Sequence, residues 1–303
     1  MNITFWGVRG SIPCPGPRTV KYGGNTTCLE LRFEHCDRLI IIDAGTGIRL
    51  LGNELLRREL ARGVRELDIY LTHTHWDHIL GFPFFAPMYV PNMIIRIHGP
   101  ATCEQDALEK VLRGQFEYRY FPVRMEELAA DIRFVELRAG VYDLGDGIRL
   151  RTKYLNHPVS CLGYRFEHGG KALVTAFDTE PYRNLFVTDP ASPERDSALV
   201  REGEADATEQ NRLAAEFIAG ADLVVHDAQY TRREYLDGRI GWGHSAMEDV
   251  VDSCARGRVG CLALTHHDPD RTDDQLDALS AWVSSQGEGM EVFFAREGMI
   301  VEV

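Results

Sequence analysis

Two β-sheets packed against each other, with helices outside, form the α/β arrangement that this sequence predicts. Strand-like and helix-like stretches alternate along most of the chain, a pattern that buries one face of each element against another layer. Apolar runs such as 39–42 and 262–264 are strand-length, and none approaches the roughly twenty residues of a membrane span. With 303 residues and 44% hydrophobic side chains, the chain has ample material for a core. No linker or low-complexity tract divides it, so residues 1–303 are expected to form one domain.

Strands are predicted at 3–6, 28–33, 39–43, 67–72, 94–98, 132–136, 148–155, 161–167, 172–176, 223–226, 261–264 and 291–295. The segment 48–61 carries Ile48, Leu51, Leu55 and Leu60 at helical spacing. Segments 207–219, 246–255 and 273–284 are similar, the last with Leu276, Leu279, Trp282 and Val283. The polar stretch 188–206 reads as an exposed loop or small lid leading into a helix. Segments 7–13 and 22–26 are rich in turn-forming residues; lacking the Walker pattern and a clear following helix, they read as turns between strands rather than a phosphate cradle.

The first residues read as a strand and lack the basic and apolar regions of a signal peptide, which points to the cytoplasm. Seven cysteines, at 14, 28, 36, 103, 161, 254 and 261, are scattered with no CxxC pair; reduced, small core residues are expected, with Cys161 nearest the chemistry. A net charge of −13 disfavours a grip on long nucleic acid, which normally needs a basic face.

The segment Thr72-His73-Thr74-His75-Trp76-Asp77-His78 follows an apolar strand and concentrates three imidazoles and a carboxylate. Alternation along a strand end would point His73 and His75 the same way, with Asp77 and His78 just past it, giving two ligand sets. Nitrogen and carboxylate donors without cysteine suit catalytic zinc, manganese or iron better than a closed structural site. Burying such a cluster without a purpose would be costly. Asp43, ending another apolar strand, suits an acceptor that orients a ligating imidazole, or equally a helix N-cap.

This His-x-His-x-Asp-His pattern after a strand resembles the signature of the metallo-β-lactamase fold superfamily, and later segments extend the resemblance over nearly the whole chain. It implies an αββα four-layer sandwich of two mixed sheets, and its phosphodiesterase-like members begin with a glycine-rich hairpin similar to segments 7–13 and 22–26, which by that resemblance would border the mouth of the site. His157, in His-x-x-Ser-x-x-Gly-Tyr, is similar to the third motif of the tRNA 3′-end nucleases and related phosphodiesterases. Asp178, in Phe-Asp-Thr, resembles their Gly-Asp-Thr segment, with Phe177 replacing glycine. His266, after Leu264-Thr265, resembles the last ligand, although His267 beside it leaves an ambiguity. By resemblance, His73, His75 and His157 hold one divalent ion, Asp77, His78 and His266 the other, and Asp178 bridges them. Zinc is the first choice and manganese the second.

The segment His226-Asp227-Ala228-Gln229 resembles the His-Glu-Ala-Thr motif of the tRNase Z type, with a shorter carboxylate. Gly243-His244-Ser245 resembles its Gly-His-Ser-Thr motif. The resemblance makes Asp77, Asp227 and His244 catalytic residues: hydroxide generated between two dications attacks, and His244, kept protonated by Asp227, assists the leaving group. A structural role for His244 near a helix start, with Ser245 as cap, is the competing reading. Ser160 and Tyr164 are candidates to touch a phosphate oxygen or to make structural hydrogen bonds. Phe84 is a candidate to stack on a base or simply to pack.

The resulting expectation is a binuclear phosphodiesterase for a small phosphodiester such as a cyclic nucleotide or cyclic phosphate. Only 20 residues (158 to 177) separate His157 from Asp178, too few for the basic arm that tRNA-processing relatives often insert there. The alternatives are a lactone or thioester hydrolase, a tRNA-processing ribonuclease and a ligand-sensing protein that has lost catalysis. The superfamily also makes a homodimer conceivable.

Overall fold

The computed structural model describes residues 1–36, 38–101, 107–287 and 289–303. Its strands are β1 (Asn2–Gly7), β2 (Cys28–Arg32), β3 (Leu39–Ile42), β4 (Glu66–Tyr70), β5 (Ile94–Pro100), β6 (Asp131–Leu137), β7 (Gly140–Asp143), β8 (Arg149–Tyr154), β9 (Leu162–His168), β10 (Lys171–Ala176), β11 (Leu223–Asp227), β12 (Cys261–Thr265), β13 (Glu291–Phe294) and β14 (Ile300–Glu302). Helices are α1 (Ile48–Arg58), α2 (Trp76–Ile79), α3 (Leu108–Gly114), α4 (Ser197–Ile218), α5 (Arg232–Leu236), α6 (Met247–Arg256) and α7 (Asp273–Ser285).

The strands form two mixed seven-stranded sheets, ordered β14-β1-β2-β3-β4-β5-β6 and β13-β12-β11-β10-β9-β8-β7. Strand periodicity decides which side chains meet. In β3, Ile40 and Ile42 face the second sheet and pack with Leu150, Leu162, Phe166 and Leu173. Ile41, one residue out of phase, joins Leu51 and Leu55 of α1 and Leu108 of α3 on the opposite face. The second sheet repeats this, with Val174, Val224 and Leu262 packed beneath Phe217 of α4, Val250 of α6 and Leu276 of α7. The outcome is the expected αββα sandwich. Central strands such as β3 are apolar on both faces because both are covered, and each fully buried aliphatic side chain contributes about 1.5–3 kcal/mol.

Every expected strand is present within two residues of its expected bounds. The short strands β7 and β14 were not expected: both are largely exposed edge strands, formed by pairing with β8 and β1 rather than by their own apolar pattern. The expected helix at 207–219 starts earlier, at Ser197, where Asp196 caps it by accepting from the amides of Ala198 and Leu199 at 2.7 and 3.3 Å. Cys28, Cys161 and Cys254 are buried, whereas Cys14, Cys36 and Cys261 are half-buried and correct the expectation of core packing for all; Cys103 lies outside the described residues.

The topology sets one edge of the sandwich apart. Parallel β10, β11 and β12 are in register, with Ala176 opposite His226 and Asp227 opposite Thr265, so the residues just past their carboxyl ends converge. Across the interface, the Leu162 amide donates to Thr72 O at 2.8 Å and the Tyr164 hydroxyl to Leu71 O at 2.5 Å. These bonds tie the segment after β4 to β9.

Candidate metal centre

β4 stops at Tyr70, so His73 and His75 lie on the loop beyond it rather than on the strand end as expected, and Asp77 and His78 lie within the short helix α2. The loop turns early because Thr72 is captured by Asp43: the Thr72 amide donates to Oδ1 at 2.7 Å and its hydroxyl to Oδ2 at 2.9 Å. Asp43 has φ 61°, a left-handed conformation that aspartate tolerates better than most residues. Its Oδ2 also receives His78 Nδ1 at 2.8 Å, which leaves His78 Nε2 facing inward. Of the two readings of Asp43, acceptor and helix cap, the geometry favours the acceptor, since α1 begins at Ile48 with no side-chain cap.

Two donor groups result. His73, His75, His157 and Asp178 present one ligand atom each within 4.8 Å of one another, and so do Asp77, His78, Asp178 and His266. Asp178 divides its carboxylate between them. Oδ2 lies 3.4 Å from His73 Nε2 and 3.9 Å from His157 Nε2, while Oδ1 lies 3.2 Å from His78 Nε2 and 3.3 Å from His266 Nε2. His266 Nε2 is also 3.0 Å from Asp77 Oδ2. His267 stands outside the cluster: its Nε2 meets Ala295 O at 2.8 Å and its ring packs edge-on against Tyr22 and Phe294.

The charge distribution fits cations. Asp43, Asp77, Asp178 and Asp227 are all buried, and among the described residues their ion pairs are with histidines alone. Buried carboxylates without a Lys or Arg partner are costly unless a positive charge sits between them. Burial lowers the pKa of His73, His75 and His157, the last to about 4, so these imidazoles are neutral and offer lone pairs. His73 Nε2 and Asp178 Oδ1 are buried without a hydrogen-bond partner. The clusters therefore suit a binuclear metal site with imidazole and carboxylate donors.

Beside this cluster, His244 Nδ1 lies 3.2 Å from Asp227 Oδ2. Burial alone would push the His244 imidazole down; Asp227, with Asp178 and Asp77 beyond, overrides burial and raises it to about 9. Asp227 is held by the amides of Gln229 and Ser245, both at 3.1 Å. Ser245 does not cap α6, because its hydroxyl donates to Thr179 O at 2.6 Å and α6 has no side-chain cap. An open cavity of about 460 Å³ over the cluster is lined by Ser11, Thr74, His75, Trp76, Asp77, Asp178 and His244.

The three expected substrate contacts are not in that lining. Tyr164 is fully buried, its hydroxyl spent on Leu71 O, so it cannot reach a phosphate. Phe84 packs edge-on against Phe121 away from the cavity, and Ser160 is half-buried outside it. Sequence reasoning missed Trp76, which is 77% exposed at the mouth; Ser11, whose amide donates to Asp77 Oδ2 at 2.7 Å, belongs to the glycine-rich N-terminal segment expected to border that mouth. It also missed Gln229, whose Oε1 faces His266 Nδ1 at 3.0 Å. Gln229 lies two residues past Asp227 in a motif already noted, and that spacing was the available signal.

The family model of the β-lactamase superfamily domain matches residues 38–188, the stretch that carries Asp43, His73 to His78, His157 and Asp178. The chain carries a β-lactamase superfamily domain. Ribonuclease Z of Mycolicibacterium gilvum is 28% identical over 305 residues, covering 91% of this chain and 87% of that protein. Ribonuclease BN of Escherichia coli is 27% identical over 299 residues, covering 88% of each. Among solved structures, the metallo-β-lactamase fold protein YhfI of Bacillus subtilis aligns over 100% of this chain and 99% of its own, at TM-score 0.66 and 16% identity. Human tRNase Z, short form, aligns over 100% and 99%, at TM-score 0.60 and 18% identity. The superfamily domain and the two donor sets together mark the chain as a metal-dependent hydrolase.

Proposed function

We propose that the protein is a binuclear metallophosphodiesterase acting on a small phosphodiester such as a cyclic nucleotide or cyclic phosphate. His73, His75, His157 and Asp178 would hold one divalent ion and Asp77, His78, Asp178 and His266 the other. Such ions, when bound, bring the pKa of water toward neutrality and offset charge on phosphoryl oxygens.

The observation that carries the reading is the Asp227–His244 pair, set beside the cluster with His244 on the wall of the cavity that Asp77 and Asp178 also line. Because Asp227 occupies Nδ1, His244 has Nε2 free. As the oxygen of a water bonds to phosphorus and its proton passes to solvent, the bond from phosphorus to the leaving oxygen breaks; Nε2–H donates its proton to that oxygen, and the resulting imidazole is reprotonated from solvent. A poor leaving group such as a sugar alkoxide needs that proton; a thioester or strained lactone needs it less.

Three features support a small substrate. Among the described residues the cavity lining contains no lysine or arginine, the chain carries a net charge of −13, and β9 turns into β10 through Gly169-Gly170 with no inserted arm. Trp76 offers a planar apolar wall to a base or other ring. An RNA substrate is the second reading, favoured by the similarity to ribonucleases Z and BN over most of the chain.

The test is turnover by zinc- or manganese-loaded protein of bis(p-nitrophenyl) phosphate, 2′,3′- and 3′,5′-cyclic nucleotides, a lactone, a thioester and a tRNA precursor with a 3′ trailer. Cyclic nucleotide hydrolysis that falls about 10²–10⁴-fold in His244→Ala is expected. Turnover confined to the lactone or thioester would overturn the phosphodiester reading, and turnover confined to the precursor would move the substrate to RNA.

A further inference from the structure

His244 follows a turn rich in glycine. Gly238, Gly241 and Gly243 all have positive φ, at 85°, 86° and 80°, and glycine-rich backbone of this kind loses much freedom on ordering. A catalytic acid on such a loop needs an external pin.

The pin is visible. Glu180, two residues past Asp178 and only 8% exposed, accepts the Gly243 amide on Oε1 at 3.0 Å and the Gly241 amide on Oε2 at 2.9 Å. Oε2 also receives the Tyr235 hydroxyl at 2.8 Å. The backbone of Glu180 is itself anchored, its amide donating to Asn156 O at 3.1 Å while Asn156 Nδ2 donates to Glu180 O at 3.1 Å. Asn156 directly precedes His157. From the other side, His157 Nδ1 lies 3.1 Å from Gly243 O, and a Cβ at Gly243 would sit 2.2 Å from that nitrogen. The Gly243 peptide is thus held at both ends, its N–H by Glu180 and its carbonyl by His157.

We infer that Glu180 is a positioning residue for His244: its buried carboxylate fixes the 241–243 loop against His157, and so fixes the proton donor relative to the metal cluster. This rests on the reading of His244 as the acid for the leaving group. The role of Glu180 differs from those of Asp178, which is shared by both donor sets, and Asp227, which faces the imidazole itself.

Glu180→Gln tests this with little change in volume. An amide brings one acceptor oxygen where the carboxylate brought two, so whichever way it lies, one loop N–H faces an NH₂ group. Rates of Glu180→Gln, Glu180→Ala, Tyr235→Phe and His244→Ala are compared on a phosphodiester with an alkyl leaving group and on bis(p-nitrophenyl) phosphate, all saturated with zinc, with zinc content measured in parallel. Both Glu180 variants are expected to lose about tenfold or more in kcat on the alkyl substrate, at unchanged KM and zinc content. They should lose less than about threefold on the p-nitrophenyl ester, whose leaving group departs without a proton. Tyr235→Phe, which leaves both loop amides bonded, should stay near wild type.

Wild-type kcat on the alkyl substrate in both Glu180 variants, equal losses on both substrates, or loss of zinc would each overturn the inference. The same leaving-group pattern in His244→Ala is the internal reference. If His244→Ala itself turns over the alkyl substrate at the wild-type rate, the acid assignment fails, a result distinct from failure of the Glu180 inference alone.

Discussion

Asp43 illustrates how much a single buried side chain arranges here. One carboxylate takes the Thr72 amide, the Thr72 hydroxyl and His78 Nδ1, so it ends β4, turns the ligand loop and aims His78 Nε2 at Asp178. Burial pushes the Asp43 carboxyl up and the bonds from His78 and Thr72 oppose that, so the charged form depends on its donors. Asp43→Asn would set an NH₂ group against one of those donors. Partners of this kind are worth 10–100-fold in metal affinity, and zinc affinity, measured by competition with a chromophoric chelator, is expected to fall by about that much. Unchanged affinity would mean that His78 needs no such partner. The position of Asp43 was legible because it ends an apolar strand in front of a glycine-rich turn. The burial of Tyr164 was not, because its surroundings belong to the other sheet: its ring meets Tyr70 edge-on at 5.6 Å.

The segment from β1 to Pro13 shows what a sequence of turns becomes when another element lies across it. Arg9 is fully buried, and its guanidinium donates to Gly23 O at 2.8 Å, Asp268 O at 3.1 Å and Arg271 O at 2.7 Å. It thereby staples the N-terminal turn to the loop that follows β12. Gly10 is consequently pressed on the His266 ring, where an added Cβ would lie 2.3 Å from Cε1 and Nδ1. That contact requires glycine. Gly10→Ala is expected to displace His266, lowering zinc content by about one equivalent while leaving the fold intact by far-UV circular dichroism. Full zinc content in a folded Gly10→Ala protein would contradict the contact. Among the helices, α1, α6 and α7 were legible from apolar spacing because each lays one stripe on a sheet. The first half of α4 was not, being polar and mostly exposed between Ser197 and Asp206.

For the molecule as a whole, the cluster is an unbalanced charge at the end of an apolar sandwich. Asp77 and Asp178 are held well below the ordinary carboxylate range: burial opposes this, but the surrounding histidines win. The same carboxylates hold His78 well above its ordinary value against its burial. Ions that bind only the folded state stabilise it by about 2.7 kcal/mol when free metal is about 100 times Kd. Dipicolinate or EDTA is therefore expected to lower Tm, and zinc to restore it. A chelated protein proven metal-free by elemental analysis that melts at the original temperature would argue that the acids and histidines balance each other unaided.

The chain by itself determined that two sheets form, where nearly all their strands lie, and that His73, His75, Asp77, His78, His157, Asp178 and His266 belong together. Period-2 burial and the donor chemistry of the segment 73–78 are local properties that neighbouring residues disclose, whereas His157, Asp178 and His266 joined the set through the resemblance of their motifs to a known superfamily. Only the tertiary structure decided that Asp178 turns one oxygen to each donor group, that His266 rather than His267 faces the cluster, that Trp76 lines the mouth, and that Glu180 grips the loop of His244. Each of these depends on distances between segments far apart in sequence. Those distances follow from the register of β10, β11 and β12 and the packing of one sheet on the other, which no window along the chain contains.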